Sequence, residues 1–321
     1  MSDIVTYSPA YTLVPTYECF NRCSYCNFRT DPRQSPWLEL SDADRALASL
    51  QDRGVIEILI LSGEVHPQSR RRPAWFRRIY QLCERSLAWG FLPHTNAGPL
   101  SFEEMRALKQ VNVSMGLMLE QVTPRLLQTV HRHAPSKVPS ARSQQLEWAG
   151  ALGIPFTTGL LLGLGETETE RRDTLEEIAR IHHKWGHIQE VILQPHSLGS
   201  QQRWQGHSFE LEQLPETLAM AREILPEAIA LQIPPNLVAQ PDLLLACLDS
   251  GASDLGGIGP KDEVNPDYPH PRDRALAEIL APAGWQLVRR LPVYPQYDRW
   301  LSPELQDAVV RKRNEDREMR G

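Results

Sequence analysis

The chain has 321 residues, 41% of them hydrophobic, with a formal net charge of −6 and a pI of about 6.0. That length fits one large α/β barrel-type domain or two ordinary domains, and the acidic balance supplies no basic surface for nucleic acid or an anionic membrane. No basic-then-apolar leader is visible, and the longest apolar stretch, "TTGLLLGLG" at 157–165, is too short to span a bilayer.

Strand-like and helix-like runs alternate along the chain. The first strand is expected at 11–17 ("YTLVPTY"), followed by 57–63, 91–96, 113–119, 155–163, 190–196 and 228–234, with a weaker eighth at 253–259. Their near-continuous apolar character suits parallel strands covered on both faces. Helical patterns fill the gaps at 41–54, 71–90, 101–110, 140–153, 167–186, 214–225, 240–251 and 272–284. "SFEE" at 101–104 has capping-box spacing. Eight strand–helix units point to an α/β fold, a single-domain (β/α)8 TIM-like barrel over residues 1–300. The rival is an open doubly wound sheet; no Gly-x-Gly-x-x-Gly follows the first strand to support its dinucleotide-binding form. Residues 301–321 read as a charged C-terminal tail, of which "RKRNEDREMRG" (311–321) is expected to fray. In a barrel, functional side chains gather after the C-terminal ends of the strands.

Three of the five cysteines, Cys19, Cys23 and Cys26, fall in "YECFNRCSYCNFRT" (17–30), just after the first strand. An odd, clustered count argues for a metal site in a reducing compartment, hence a cytoplasmic protein, and against a disulfide framework. Thiolates suit zinc, copper(I) or an iron–sulfur cluster. Cys83 and Cys247 sit in amphipathic helical patterns and read as core residues. A histidine such as His66 could complete a Cys₃His zinc site. A pure electron carrier normally supplies four thiolates to its cluster.

The Cys-x-x-x-Cys-x-x-Cys spacing, with Tyr25 before the last Cys, resembles the signature of the radical S-adenosylmethionine (SAM) superfamily. The resemblance implies a [4Fe–4S] cluster on three thiolates, with SAM on the fourth iron. Reductive cleavage of SAM then gives a 5′-deoxyadenosyl radical. It also implies roles for residues at other strand ends. Ser62–Gly63–Glu64 is similar to the element that binds the SAM ammonium. A carboxylate at Glu120, after a buried strand, needs a partner, and related barrels give it the ribose hydroxyls. Arg142 is suited to the SAM carboxylate. Gly163 and Gly165 lie in a Gly-rich turn similar to the adenine-side element.

Longer stretches, among them "LPHTNAGPLSFEEM", "HAPSKVPSARSQQLEWAGALGIPFTTGLLLGLGET" and "GASDLGGIGPKDEVNPDYPHP", resemble the family of ring-closing subunits of FO synthase. FO is 7,8-didemethyl-8-hydroxy-5-deazariboflavin, the precursor of coenzyme F420. The resemblance implies an ammonia-releasing lyase acting on an adduct of a 4-hydroxybenzyl group with 5-amino-6-ribitylaminouracil. A sister radical SAM subunit would supply that adduct, and a ferredoxin or flavodoxin the electron. Such a substrate calls for polar groups among apolar walls; the candidates are Thr158, Gln194, His196, Asn236 and Asp254. His66, His94 and His131 are candidates for proton movement, since imidazole titrates near neutrality. Where the family has an Asn–Phe-like pair after Gln194, this chain has Pro195–His196. The alternatives are the sister adduct-forming subunit or another radical SAM enzyme, and, in a different class, a non-catalytic iron–sulfur or zinc protein.

Overall fold

A computed structural model describes residues 3–318. Eight strand–helix pairs come first in chain order. They are β1 (Asp3–Leu13) with α1 (Leu40–Ser49), β2 (Glu57–Leu61) with α2 (Arg72–Ala88), β3 (Leu92–Asn96) with α3 (Phe102–Leu108), and β4 (Ser114–Gly116) with α4 (Pro139–Leu152). The second half continues with β5 (Phe156–Leu162) and α5 (Glu168–Trp185), β6 (Ile188–Pro195) and α6 (Leu214–Ile224), β7 (Ala230–Gln232) and α7 (Pro241–Asp249), and β8 (Asp254–Ile258) and α8 (Asp273–Leu280). All neighbouring strands are parallel, and β1 pairs with both β2 and β8, so the sheet closes into the expected barrel. Closure leaves no edge among the eight strands and requires the helices to cover the outside. β5, "FTTGLLL", is buried at every position, as a strand covered on both faces must be. Turn chemistry follows the sequence: Ser101 and Glu104 form the capping box of α3, and Thr167 and Glu170 form one for α5.

Two features depart from the expectations. The first strand runs over Asp3–Leu13 rather than 11–17. Its N-terminal half is mixed in polarity and Pro9 interrupts its middle, which hides the pattern, while 14–17 already turn away: Gly63 N–H donates to Thr16 O and Thr30 N–H to Tyr17 O, both at 2.8 Å. The extra length of β1 serves a third partner. A ninth strand, β9 (Trp285–Arg289), pairs with Asp3–Tyr7, below the Ala10–Leu13 segment that pairs with β2.

The charged tail forms a helix, α9 (Pro303–Glu318), which takes in 311–318 of the stretch expected to fray; 319–321 lie outside the described residues. Leu305 and Val309, one turn apart, are buried against Ile56, Leu92 and Val113 at the N-terminal ends of β2, β3 and β4. The charges of the tail disguised this two-residue stripe, but several are themselves placed: Asp316 lies 3.0 Å from Arg289, and Lys312 sits over the Phe91 ring. β9, α9 and the turn between them seal the N-terminal end of the barrel. Among the described residues, no helix is long and apolar enough to cross a membrane.

Candidate active site

The cysteine loop leaves β1 at the open, C-terminal end of the barrel and is tied down by its own backbone. Cys19 N–H donates to Thr30 O (3.1 Å), Phe20 N–H to Glu64 O (3.0 Å), Arg22 N–H to His133 O (2.7 Å) and Ser24 N–H to Val130 O (3.1 Å). The loop is thereby fixed to the segments that follow β2 and β4. Cys19, Cys23 and Cys26 are free and half-buried. Burial pushes the Cys19 thiol up to about 11 and the Cys23 thiol up to about 12. Thiols so desolvated ionise when a metal centre supplies positive charge. Among the described residues no three His, Cys, Asp or Glu side chains converge as a single ion requires. A cluster that places each thiolate on a different iron makes no such demand. Among the described residues, His66 is not gathered with the three thiols into a metal-holding group. It is exposed, its ring edge-on to Phe20, and its Nδ1 accepts from Gln68 N–H at 3.1 Å. Cys83 and Cys247 are fully buried in the core.

Beside the loop, two carboxylates alternate with two cations. Glu64 accepts from Arg142 Nη2 (3.3 Å), from Asn21 Nδ2 (2.8 Å) and from the Ser136 hydroxyl. Glu120 pairs with Lys137. Burial opposes charge on Glu120, but Lys137 and Arg142 outweigh it and hold the carboxyl below its ordinary range. Glu120 is also one of the few non-glycine residues with positive φ, at 69°, a conformation that costs about 1 kcal/mol or more. Its N–H donates to Gly159 O at 3.0 Å, which fixes the strained turn that aims the carboxylate at the mouth. Tyr25, between Cys23 and Cys26, brings its hydroxyl 2.9 Å from His131 Nε2 and 3.4 Å from Glu120. His131 is held down at about 4 by burial, so it stays neutral beside them. Asn21 was not among the sequence candidates; Ser136 and Lys137 lie in the candidate stretch 131–137, but nothing in the spacing put the lysine opposite Glu120.

This arrangement fits an amino-acid zwitterion with a diol. Arg142 is 2% exposed, and its Nη1 donates to Met118 O at 2.6 Å, yet its Nε has no hydrogen-bond partner. A buried guanidinium N–H without an acceptor calls for one.

Beneath the mouth the barrel encloses a cavity of about 190 Å³. Gln194, Asn96 and Lys261 line its upper part, and Glu57, Thr157, Glu190 and Arg290 line its floor. His94 lies between. Ser114 Oγ donates its only proton to Pro292 O (2.6 Å), so it accepts from His94 Nδ1 (2.7 Å). That fixes the tautomer with Nε2 as a bare acceptor. Burial and then the Arg290 charge hold the imidazole at about 3, hence neutral. A Cβ at position 116 would sit 2.9 Å from Nε2, so Gly116 is what leaves the ring its place.

Other expected contacts lie elsewhere. Thr158 faces away from the cavity, and its hydroxyl accepts from Leu119 N–H at 3.2 Å; strand alternation puts its neighbour Thr157 inside. His196 packs with Tyr25 and Trp204 under the cysteine loop. Asn236 clamps the loop after β8, donating to Asp262 (2.8 Å) and Tyr268 O (2.9 Å). Asp254 is fully buried below the floor, bound by Arg290. Ser62 is committed to Trp75, whose Nε1 donates to it at 2.9 Å. The N–H groups of Gly163 and Leu164 are taken by Glu166, at 2.7 and 2.8 Å, so the Gly-rich turn holds itself closed and offers no free donor there.

A family model described as the radical SAM superfamily matches residues 13–178. The chain is 64% identical over 309 residues to the 7,8-didemethyl-8-hydroxy-5-deazariboflavin synthase of Trichodesmium erythraeum, covering 96% of this chain and 97% of the relative. To the enzyme of the same name from Trichormus variabilis it is 66% identical, covering 97% and 91%. Among solved structures it is similar in fold to the [FeFe]-hydrogenase maturase of Carboxydothermus hydrogenoformans (TM-score 0.74, 17% identity, 97% of this chain and 77% of that one). It is also similar to methylornithine synthase (TM-score 0.67, 14% identity, 89% and 84%).

Proposed function

The chain belongs to the radical SAM superfamily and, within it, to the 7,8-didemethyl-8-hydroxy-5-deazariboflavin synthases, and on that premise we propose that it is the ring-closing lyase that forms FO. Its substrate is the 4-hydroxybenzyl adduct of ribitylaminouracil, and ammonia leaves. The observation that carries this reading is likeness to named synthases at 64–66% identity over nearly the whole chain.

Cys19, Cys23 and Cys26 hold the [4Fe–4S] cluster. With SAM bound, that centre supplies one-electron cleavage to a 5′-deoxyadenosyl radical. Glu64 binds the SAM ammonium through one carboxylate oxygen while Asn21 and Ser136 steady the other. Arg142, whose Nε has no hydrogen-bond partner, would meet the SAM carboxylate. Glu120 takes the ribose hydroxyls, and Lys137 keeps it ionised. The apolar cluster of Leu126, Val130, Leu161 and Leu164, with Tyr25 and Trp204 packed on it, offers a wall for the adenine. In the cavity, Gln194 and His94 Nε2 face the substrate and orient it; burial keeps His94 neutral, so its Nε2 serves as a hydrogen-bond acceptor rather than as the base of ring closure.

The outer face of the cysteine loop supports an acidic ferredoxin or flavodoxin as electron donor. Arg29, Arg22 and Arg203 all act on the single carboxylate of Asp31, leaving positive charge in excess there within an acidic protein. The sister subunit supplies the adduct, and the setting is cytoplasmic.

The test is anaerobic turnover. Cluster-loaded protein given SAM, reductant and preformed adduct forms the fluorescent deazaflavin. Protein that cleaves SAM but yields none overturns the assignment. Product formed from tyrosine and the diaminouracil in place of the adduct assigns it to the sister reaction.

A further inference from the structure

The cavity floor is unusual in its balance of donors and acceptors. Arg290 spends its guanidinium on Asp254 in a fork, with Nε to Oδ2 at 2.6 Å and Nη2 to Oδ1 at 2.7 Å, and the same group reaches Glu190. Thr157 donates its hydroxyl to the other Glu190 oxygen at 2.7 Å. The Glu57 carboxyl, from the first residue of β2, faces the same space; burial raises it, and the Arg290 charge and the Ser8 hydroxyl only partly offset that. His94 adds a bare Nε2. One guanidinium therefore serves three carboxylates, and the surface left to an occupant is richer in acceptors than in donors, the Gln232 amide being the exception. Buried acceptors without donors are costly. Burial accordingly pushes Glu190 up to about 7 and raises Glu57 as well.

We infer that Glu57 and Glu190, with His94 Nε2 above them, form a subsite for an uncharged polyol chain and reject the phosphate ester of that chain. A polyol brings a hydroxyl donor on every carbon, and two adjacent hydroxyls match one carboxylate. A phosphate brings negative charge and acceptors only. The inference rests on the reading proposed above, in which the substrate carries a ribityl chain. That chain passes through the reaction unchanged, and its C–H bonds beside hydroxyls are ready hydrogen donors to a carbon radical. Seating it on the floor, farthest from the cysteine loop, keeps those bonds away from the radical and leaves the rings at the mouth.

The experiment measures equilibrium binding of fluorescent deazaflavins to the cluster-loaded protein under argon, by anisotropy. Three probes are used: FO, its 5′-phosphate ester, and an analogue with methyl in place of ribityl. The phosphate ester is expected to bind about tenfold or more weaker than FO, because the guanidinium on the floor is already engaged by Asp254 and Glu190 and is not free to neutralise a buried phosphate. The methyl analogue loses about tenfold or more. Glu57→Gln and Glu190→Gln each weaken FO by about tenfold, leave the methyl analogue within about twofold, and narrow the gap to the ester. Equal binding of FO and its ester by the wild type overturns the inference without any variant. So does a loss that is the same for FO and the methyl analogue in both variants. Failure of the underlying reading shows separately, as no FO formed from the adduct by the loaded enzyme.

Discussion

Gly98 offers a way to move one proposed SAM ligand without touching it. Gly98 follows β3 with φ of +76°, and a Cβ built there would lie 2.5 Å from Glu64 Cδ and 2.9 Å from Oε1. Ordinary contact begins at 3.4 Å, so Gly98→Ala must push the Glu64 carboxylate by about 0.9 Å. Its link to Arg142 is already 3.3 Å, and a shift of that size breaks it along with the bonds from Asn21 and Ser136. A charge-assisted hydrogen bond contributes about 1.5–3 kcal/mol, so SAM affinity falls by roughly one to two powers of ten.

The left-handed backbone adds a separate stability cost of about 1–2 kcal/mol. Gly90→Ala isolates that part: Gly90 has φ of +81° with nothing within 4 Å of a Cβ. The assay is equilibrium SAM binding to cluster-loaded protein, followed by the change in the cluster spectrum, with urea unfolding alongside. Both variants lose similar stability and keep their iron; Gly98→Ala alone loses SAM. Wild-type SAM affinity in Gly98→Ala refutes the placement of Glu64 at the ammonium.

Cys19→Ala, Cys23→Ala and Cys26→Ala are each expected to lose cluster iron and SAM cleavage, whereas Cys83→Ala and Cys247→Ala keep full iron by elemental analysis. Cys83→Ala lowers stability by about 1–2 kcal/mol because Thr95 and Asn112 lose a buried partner. Two buried imidazoles, His94 and His187, are both depressed to about 3 by burial, against an ordinary value of 6.5. The unfolded chain therefore binds more protons between those values, and stability falls as pH drops from about 6.5 toward 3. His187→Phe flattens the slope of melting temperature against pH over that range; an unchanged slope counts against neutral burial of His187. Ending the chain after Leu301 uncovers Ile56, Leu92 and Val113 and removes Leu305 and Val309. The expected loss is about 3–6 kcal/mol in urea unfolding, and an unchanged midpoint shows that α9 does not cap the core.

The barrel was legible because each strand–helix unit carries its own signature, an apolar run followed by a capped amphipathic helix. "SFEE" at the start of α3 became the capping box it spells. The cysteine loop, Glu64, Glu120 and Arg142 were found through family likeness, and the structure brings these groups to one mouth. What the sequence hid is interaction at long range. Glu190 in "QEVILQP" and Glu57 in "EILILSG" are single charges inside apolar strands, a signal that was present but had no partner in view. The partner, Arg290, lies after a strand that pattern reading missed and is 100 residues from Glu190 in the chain. Thr158 was chosen over Thr157 because two adjacent threonines do not announce which one faces inward. α9 read as a tail because only two of its residues, Leu305 and Val309, are buried apolar side chains.

Sealing the barrel at one end makes its interior a blind well. β9, Arg290 and α9 close the bottom, so whatever enters must come through the opening beneath the cysteine loop. If SAM lies across that opening, the substrate has to be loaded first and FO has to wait for 5′-deoxyadenosine and methionine to depart. The C-terminal helix, remote from every reacting atom, would thus impose an obligatory queue: substrate on before SAM, product off last. Steady-state kinetics would carry that order as competition between FO and substrate together with mixed inhibition by FO against SAM.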